Sequence, residues 1–171
     1  MAGSKKSRKR KSFKYAAIIL IVMLILIQFI PVKRTNPAVI NEPKWDSPET
    51  KAFAVRACFN CHSNETKWPD YAYVAPVSWF IINDVNEGRK HFNMSNWKPG
   101  DGDEAAAEVR KGDMPMWKYT LMHPEAKLTD VEKQKFIRGL IATFGEEKGP
   151  KEQSKTNTKR DKTIRFSDED E

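Results

Sequence analysis

The sequence predicts an all-α fold in which a small helical domain follows a single N-terminal transmembrane helix. Residues 15–32 contain no charged side chain and one polar one, Gln28. Farther along the chain, apolar and polar residues rarely alternate, whereas helix-start signals and helical spacings of apolar residues recur. Strands therefore have little support in this sequence.

Changes in composition divide the chain into five segments. With 171 residues, one domain with a modest core fits better than two domains. The segments are a basic cytoplasmic N-terminus (1–14), a transmembrane anchor (15–32), a spacer (33–44), the helical domain (45–145) and a disordered, charged tail (146–171). The tail is predicted from its scarcity of apolar residues and its acidic end.

The apolar segment is long enough to cross a membrane as a helix. Its 18 residues would span about 27 Å, which is close to the hydrocarbon thickness of a bilayer. Seven lysines and arginines precede it, and only Lys33 and Arg34 follow directly, so we expect the N-terminus in the cytoplasm and the domain outside. A cleaved signal peptide is the competing interpretation, but the run ends without the small residues of a cleavage site.

The positive charge of the chain is concentrated at its start. Of 30 lysines and arginines, seven lie in residues 1–14, which leaves 23 to balance 23 aspartates and glutamates. The rest of the chain is therefore formally neutral. We expect no nucleic-acid partner, because the domain has no excess of cations from which to build a basic face.

Four helices are predicted in the domain. The first starts at Ser47, which caps a Pro-Glu pair, and runs into residues 58–62. The second covers 77–91 and the third 103–111, a stretch rich in helix-forming residues. The last begins at 129–132, where Thr-Asp-Val-Glu has the form of a capping box.

Both cysteines of the chain lie in residues 58–62, CFNCH. A disulfide between them would close a very small loop and leave His62 without a role, and a zinc site would need ligands that occur only at irregular spacing. A thioredoxin-like dithiol would need βαβ surroundings. Haem c uses every member of the motif: Cys58 and Cys61 attach one haem covalently, and His62 is the proximal iron ligand. Zinc and a redox dithiol remain the minor alternatives.

The distal iron ligand is predicted from the loop Gly-Asp-Met-Pro, about fifty residues after His62. Met114 in this loop follows a predicted short helix, and the proline after it stiffens the backbone. Met114 is therefore the favoured distal ligand. An open site is a further possibility, and the competing side chains are Met94, Met116, His91 and His123.

Three stretches of the chain, 58–79, 88–97 and 112–133, carry a resemblance to a known family. In their order and spacing, the chain resembles the haem-binding domain family of bacterial membrane-anchored monohaem cytochromes c. The resemblance implies a small cytochrome c-like helical domain around one covalent haem. It also implies that Cys58 and Cys61 attach the haem, and that His62 and Met114 hold the iron.

Further contacts of the haem are expected from the remaining residues. Large aromatic side chains are as often plain core as cofactor contacts, and the candidates for the haem pocket are Trp68, Trp79 and Trp97. By analogy with small cytochromes c, the backbone carbonyl of Pro76 is a candidate acceptor for the second ring N–H of His62.

The expected function is that of a membrane-tethered monohaem cytochrome c. It would carry single electrons on the periplasmic side of the bacterial inner membrane, between redox partner proteins in or at that membrane. The alternative is a haem-based sensor whose distal ligand is absent or easily displaced. An enzyme is not expected, because the sequence shows no convincing acid and base pair for the distal side.

Overall fold

The structure is a computed structural model that describes residues 3–146, with side chains described from Ser12 onward. Within that part of the chain there is no β-strand, so the all-α prediction is confirmed. The predicted tail beyond Glu146 lies outside the described residues. The helices are α1 (Gly3–Leu26), α2 (Pro48–Ala57), α3 (Phe59–His62), α4 (Val77–His91), α5 (Ala105–Lys111), α6 (Trp117–Met122) and α7 (Asp130–Phe144), with 3₁₀ turns at Ile27–Phe29, Asp70–Tyr73 and Pro124–Ala126.

Helix α1 and the 3₁₀ turn after it contain residues 15–29 of the apolar segment. The stretch from Ser12 to Phe29 has a mean hydropathy of 2.2, and none of it is buried against the rest of the protein. Such a helix has the length and composition of a membrane span, and a signal sequence near an N-terminus shares both properties.

Residues 33–44, which we call the strap, run along the surface of the domain. The strap makes a single β-bridge between Asn41 and Asn96, and the backbone N–H of Ile40 donates to the Ser95 carbonyl at 2.8 Å. The side chain of Asn41 also donates to the Trp97 carbonyl at 2.7 Å. The segment predicted as a spacer is thus bonded to the domain over much of its length.

Helices α2 and α7 start at the predicted caps and pack closely together. Ser47 accepts a hydrogen bond from the Thr50 N–H at 3.2 Å, and Thr129 forms the predicted capping box with Glu132. A Cβ on Gly139 of α7 would lie 1.9 Å from the Thr50 hydroxyl oxygen of α2. Glycine at this position therefore allows the two helices to approach.

The remaining helices follow the predictions in part. Helix α4 has the predicted bounds, whereas α5 starts at Ala105, two residues after the predicted start, because Gly100 and Gly102 form turns with φ angles of 98° and 87°. Helix α6 was not predicted, since it has six residues and no side-chain cap.

The buried core between α2, α5 and α7 contains Phe53, Ala54, Ala106, Val109, Phe136, Ile137 and Leu140.

Candidate functional site

A cavity of about 650 Å³ opens beside α3. Its volume lies in the range of about 300–1,000 Å³ that is typical of small-molecule and cofactor sites. Residues from α2, α3, α4, α5 and α7 line it, together with the segment after α5. The cavity therefore lies where most helices of the domain converge.

The CFNCH motif forms one turn at the cavity wall. The Cys58 N–H donates to Ala54 at the end of α2, and the His62 N–H donates to the Cys58 carbonyl at 2.9 Å. This turn directs Cys58, Cys61 and His62 to the same cavity, and both cysteines are free thiols. The two sulfur groups and the imidazole are thus presented together, as the motif predicts.

Both thiols are protonated at neutral pH, and burial raises their pKa values further. It raises the pKa of Cys58 to about 12, and the neighbouring Cys61 adds to the effect. Burial and Asp84 raise the pKa of Cys61 to about 11. Among the described residues no three or more His, Cys, Asp or Glu side chains form a group able to hold a metal ion, so the zinc alternative gains no support there.

Two backbone groups of one segment fix His62. Its Nδ1 lies 3.1 Å from the Phe92 carbonyl oxygen, and its own carbonyl accepts the Met94 N–H at 2.7 Å. Because a carbonyl only accepts, Nδ1 carries the proton and Nε2 keeps a lone pair. Burial lowers the pKa of His62, so its imidazole is neutral near pH 7.

The proposed role of Pro76 is therefore wrong. Its carbonyl accepts the Trp79 N–H at 3.1 Å within the first turn of α4. Helix α4 leads away from Pro76 and ends beside α3, so the carbonyl of Phe92, the residue that follows α4, reaches the His62 ring instead.

Helix α4 passes α3 at Gly88. A Cβ there would lie 2.6 Å from the Cys61 carbonyl oxygen, a distance that side chains do not adopt. A glycine in mid-helix ordinarily destabilises a helix by about 0.5–1 kcal/mol relative to alanine. Gly88 was not singled out from the sequence, although a glycine inside a predicted helix is a signal for such a close approach.

Arg89, the next residue of α4, ties the strap to the motif. Its guanidinium donates to the carbonyl oxygens of Ser63 at 2.7 Å and Thr35 at 2.8 Å, and to the Thr66 hydroxyl at 2.8 Å. One side chain thus connects α4, the residue after His62 and the strap.

The segment after α5 brings methionines to the cavity. Gly112 ends α5 with a φ of 90°, and the Met114 N–H donates to the Glu108 carbonyl at 3.3 Å. Met114 and Met116 both line the cavity. The favoured distal ligand therefore shares a cavity with His62.

The other candidate ligands differ in their positions. Met94 and His91 also line the cavity, but Met94 is 1% exposed and belongs to the packed core. His123 lies outside the cavity lining, where its Nε2 is 2.6 Å from the Tyr71 hydroxyl and its Nδ1 is 2.9 Å from Glu125. His123 is therefore occupied by other partners.

The predicted tryptophan pocket is corrected by the structure. None of Trp68, Trp79 and Trp97 lines the cavity. Trp97 packs 6.5 Å from the Phe144 ring, and its indole N–H donates to the Asp101 carbonyl at 3.0 Å. Trp68 and Trp79 are partly buried elsewhere. The aromatic part of the lining consists instead of Phe92, Tyr119 and Phe136.

Six acidic side chains of the lining were not singled out from the sequence. Three of them form ion pairs with lysines: Asp84 with Lys118 at 2.8 Å, Glu87 with Lys90, and Glu108 with Lys111. The clustering of acids between residues 101 and 108 was the available signal. The six acids of the lining are Asp84, Glu87, Asp101, Asp103, Glu104 and Glu108.

Comparison with known proteins gives one match. The sequence pattern of a family described as a haem-binding domain matches residues 22–142, which is well over half of the chain. The matched region begins inside α1 and includes the strap. A search of curated proteins and a search of solved structures each found no match.

Proposed function

The chain belongs to the haem-binding domain family, and from this membership we propose that it is a monohaem cytochrome c that carries single electrons. Membership of this family supports haem binding. Covalent attachment, a single haem and electron transfer are the parts that we propose. The observation that carries the proposal is that Cys58, Cys61, His62 and Met114 open onto one cavity.

The donor groups of the cavity fit a haem of the c type. Cys58 and Cys61 lie at the two ends of a single turn, as two thioether links to one flat ring require. His62 offers a neutral imidazole whose Nδ1 already has an acceptor, so Nε2 is available to iron. Met114 offers a thioether from a different segment of the lining.

The surroundings of these groups suit electron transfer. A haem bound here supplies an iron that gains and loses one electron, and a methionine ligand raises its reduction potential. Phe92 and Phe136 contribute apolar surface to the lining of the cavity. The hydrogen bond from Nδ1 of His62 to the Phe92 carbonyl holds the ring in one orientation, which would keep structural change between the two oxidation states small.

We also propose that the protein is anchored in the bacterial inner membrane with its domain in the periplasm. Support comes from the helix Ser12–Phe29 and from the seven cations before it. Redox proteins in or at that membrane would then be its partners. We assign it the role of a carrier rather than an enzyme, since Met114 would occupy the distal side.

The proposal is tested on the full chain, co-expressed with a c-type haem maturation system. We expect haem that stays with the polypeptide on a denaturing gel, and a low-spin spectrum in both oxidation states. The Met114→Ala variant should lose the methionine-to-iron charge-transfer band, while Met116→Ala, the matched control, should keep it.

Other results would contradict the proposal. Haem lost on denaturation would refute covalent attachment. A high-spin spectrum, with rapid and complete carbon monoxide binding by the reduced protein, would refute the electron carrier and favour a haem-based sensor. Loss of the charge-transfer band in Met116→Ala would transfer the ligand role to Met116.

A further inference from the structure

An exposed apolar surface follows the second 3₁₀ turn. Residues 71–83 form the longest stretch after the apolar segment without a charged residue. Four of its large side chains are exposed, and we call them the interfacial patch: Tyr73 (57%), Val74 (54%), Val77 (44%) and Phe80 (66%). Concentrations of exposed apolar side chains of this kind mark contact surfaces.

The 3₁₀ turn that follows α1 is bonded to the segment that carries the patch. The Gln28 side chain donates to the Ala75 carbonyl at 3.0 Å and accepts the Ala75 N–H at 2.9 Å. Six residues later, Arg34 donates to the Ala72 carbonyl at 3.1 Å, and its guanidinium lies 4.3 Å from the centre of the Tyr73 ring. The apolar helix and the patch are therefore held side by side.

This contact sets the depth of the patch. Gln28 lies near the outer end of the apolar segment 15–32, in the 3₁₀ turn that ends at Phe29. If that segment crosses the bilayer, Ala75, which bonds to Gln28, lies close to the level at which the span leaves the hydrocarbon. Apolar and aromatic side chains are the groups favoured at that level, between the acyl chains and the headgroups.

We propose that the interfacial patch inserts into the outer surface of the lipid bilayer. The inference rests on the proposed membrane anchor. A lipid surface fits better than a protein partner, because the patch is bonded directly to the end of the membrane-spanning stretch and its four side chains are uncharged. The domain then lies on the membrane in one orientation, and its cavity stays at a constant height above the bilayer.

The test uses the full, haem-loaded chain in nanodiscs of phosphatidylcholine and phosphatidylglycerol. The photo-crosslinking residue p-benzoylphenylalanine replaces Phe80 in one variant and Val131 in a control. Val131 is 68% exposed at the start of α7, which packs against α2 and α5. The haem spectrum confirms that each variant is folded. We expect several-fold more lipid adducts, measured by mass spectrometry, from position 80 than from position 131.

Three outcomes would overturn the inference, and each identifies a different part of it as wrong. Equal adduct yields at the two positions, with the chain still in the discs, refute the patch and leave the anchor intact. Adducts from position 80 to a second copy of the chain refute lipid as the occupant. Loss of the chain from the discs refutes the anchor, and the inference fails with it.

Discussion

Gly88 of α4 lies against the carbonyl oxygen of Cys61, so that a Cβ at position 88 would come within 2.6 Å of that oxygen. The contact braces the turn that presents both cysteines and His62 to the cavity. A second brace comes from residues 92 and 94, which bond to the ring and the backbone of His62. The motif is thus held from α4 and from the segment that follows it.

Replacement of Gly88 by alanine should destabilise the protein, although alanine favours helices. The added methyl group would force α4 away from α3, and overpacking of this kind costs about 1–3 kcal/mol. We expect a lower free energy of unfolding in urea and a lower ratio of covalent haem to protein. Asn86→Ala, at an exposed position of the same helix, is the control and should keep both the stability and the haem content of the natural chain. Unchanged haem content and stability in Gly88→Ala would show that α4 can move without cost.

The cysteines of the folded, haem-free chain should resist alkylation at neutral pH. The pKa of Cys61 is raised from 9.0 to about 11, so its thiolate fraction near pH 7 is about one hundredth of the ordinary value. The rate of reaction with iodoacetamide, followed by mass spectrometry, should therefore keep rising with pH until about 11. The same chain in denaturant is the control and should react at the ordinary rate. A rate that levels off near pH 9 in the folded chain would contradict the raised pKa.

The charge of Glu132 should stabilise the domain in a pH-dependent manner. Hydrogen bonds from Thr129 and Arg56 lower the pKa of this carboxyl from 4.5 to about 2. A lowered folded pKa means that the stabilisation is complete above about pH 4.5 and is lost as the pH falls towards 2. The unfolding free energies of the natural chain and Glu132→Gln should differ above pH 4.5 and converge towards pH 2. A difference that does not change with pH would exclude the charge as its cause.

The hydroxyl of Thr129 should also stabilise the domain, because it caps α7 and donates to the Glu132 carboxylate. Replacing Thr129 by alanine removes the hydroxyl that accepts the Glu132 N–H, and loss of such a cap typically costs about 1 kcal/mol. Thr129→Ser keeps the hydroxyl and should retain most of the stability. Urea unfolding at neutral pH measures both variants, and equal loss in the two would mean that the methyl group, rather than the cap, matters.

Removal of Arg89 should loosen the strap. The guanidinium bonds to Thr35, Ser63 and Thr66, and no other side chain type offers several donors in one plane. In Arg89→Ala we expect faster trypsin cleavage after Lys44, which is exposed, while Arg89→Lys should show an intermediate rate. Gel electrophoresis of timed digests gives the rates. Equal rates in the natural chain and Arg89→Ala would show that the backbone bonds of the strap suffice.

Most of the helices could be predicted from local signals in the sequence, because the residues that form a helix cap are only three or four positions apart. Ser47 and Thr129 marked two helix starts correctly, and the spacing of 58–62 marked the turn that the structure places at the cavity. Contacts between distant segments could not be read in this way. The bond between His62 and Phe92 spans thirty residues, and it depends on where α4 ends in space.

The tryptophans illustrate the same limit. Their size made them candidates for the pocket, but the size of a side chain does not predict which way it points, and Trp97 faces Phe144 instead.

The strap was predicted as a spacer because its prolines and polar residues are typical of linkers. Instead, Asn36 of the strap donates to the Thr66 carbonyl of the domain, and Asn64 of the domain donates to the Ala38 carbonyl of the strap.

The bonded strap also bears on how such a protein can evolve. A free linker tolerates insertions and deletions, and it allows one anchor to be exchanged for another by recombination at any point within it. Here a join between Thr35 and Asn41 would break bonds to Arg89, Ser95 and Trp97. Because Gln28 and Arg34 also bond to the domain, exchange of the anchor is restricted to positions before Gln28, and ancestral changes in strap length should be rare.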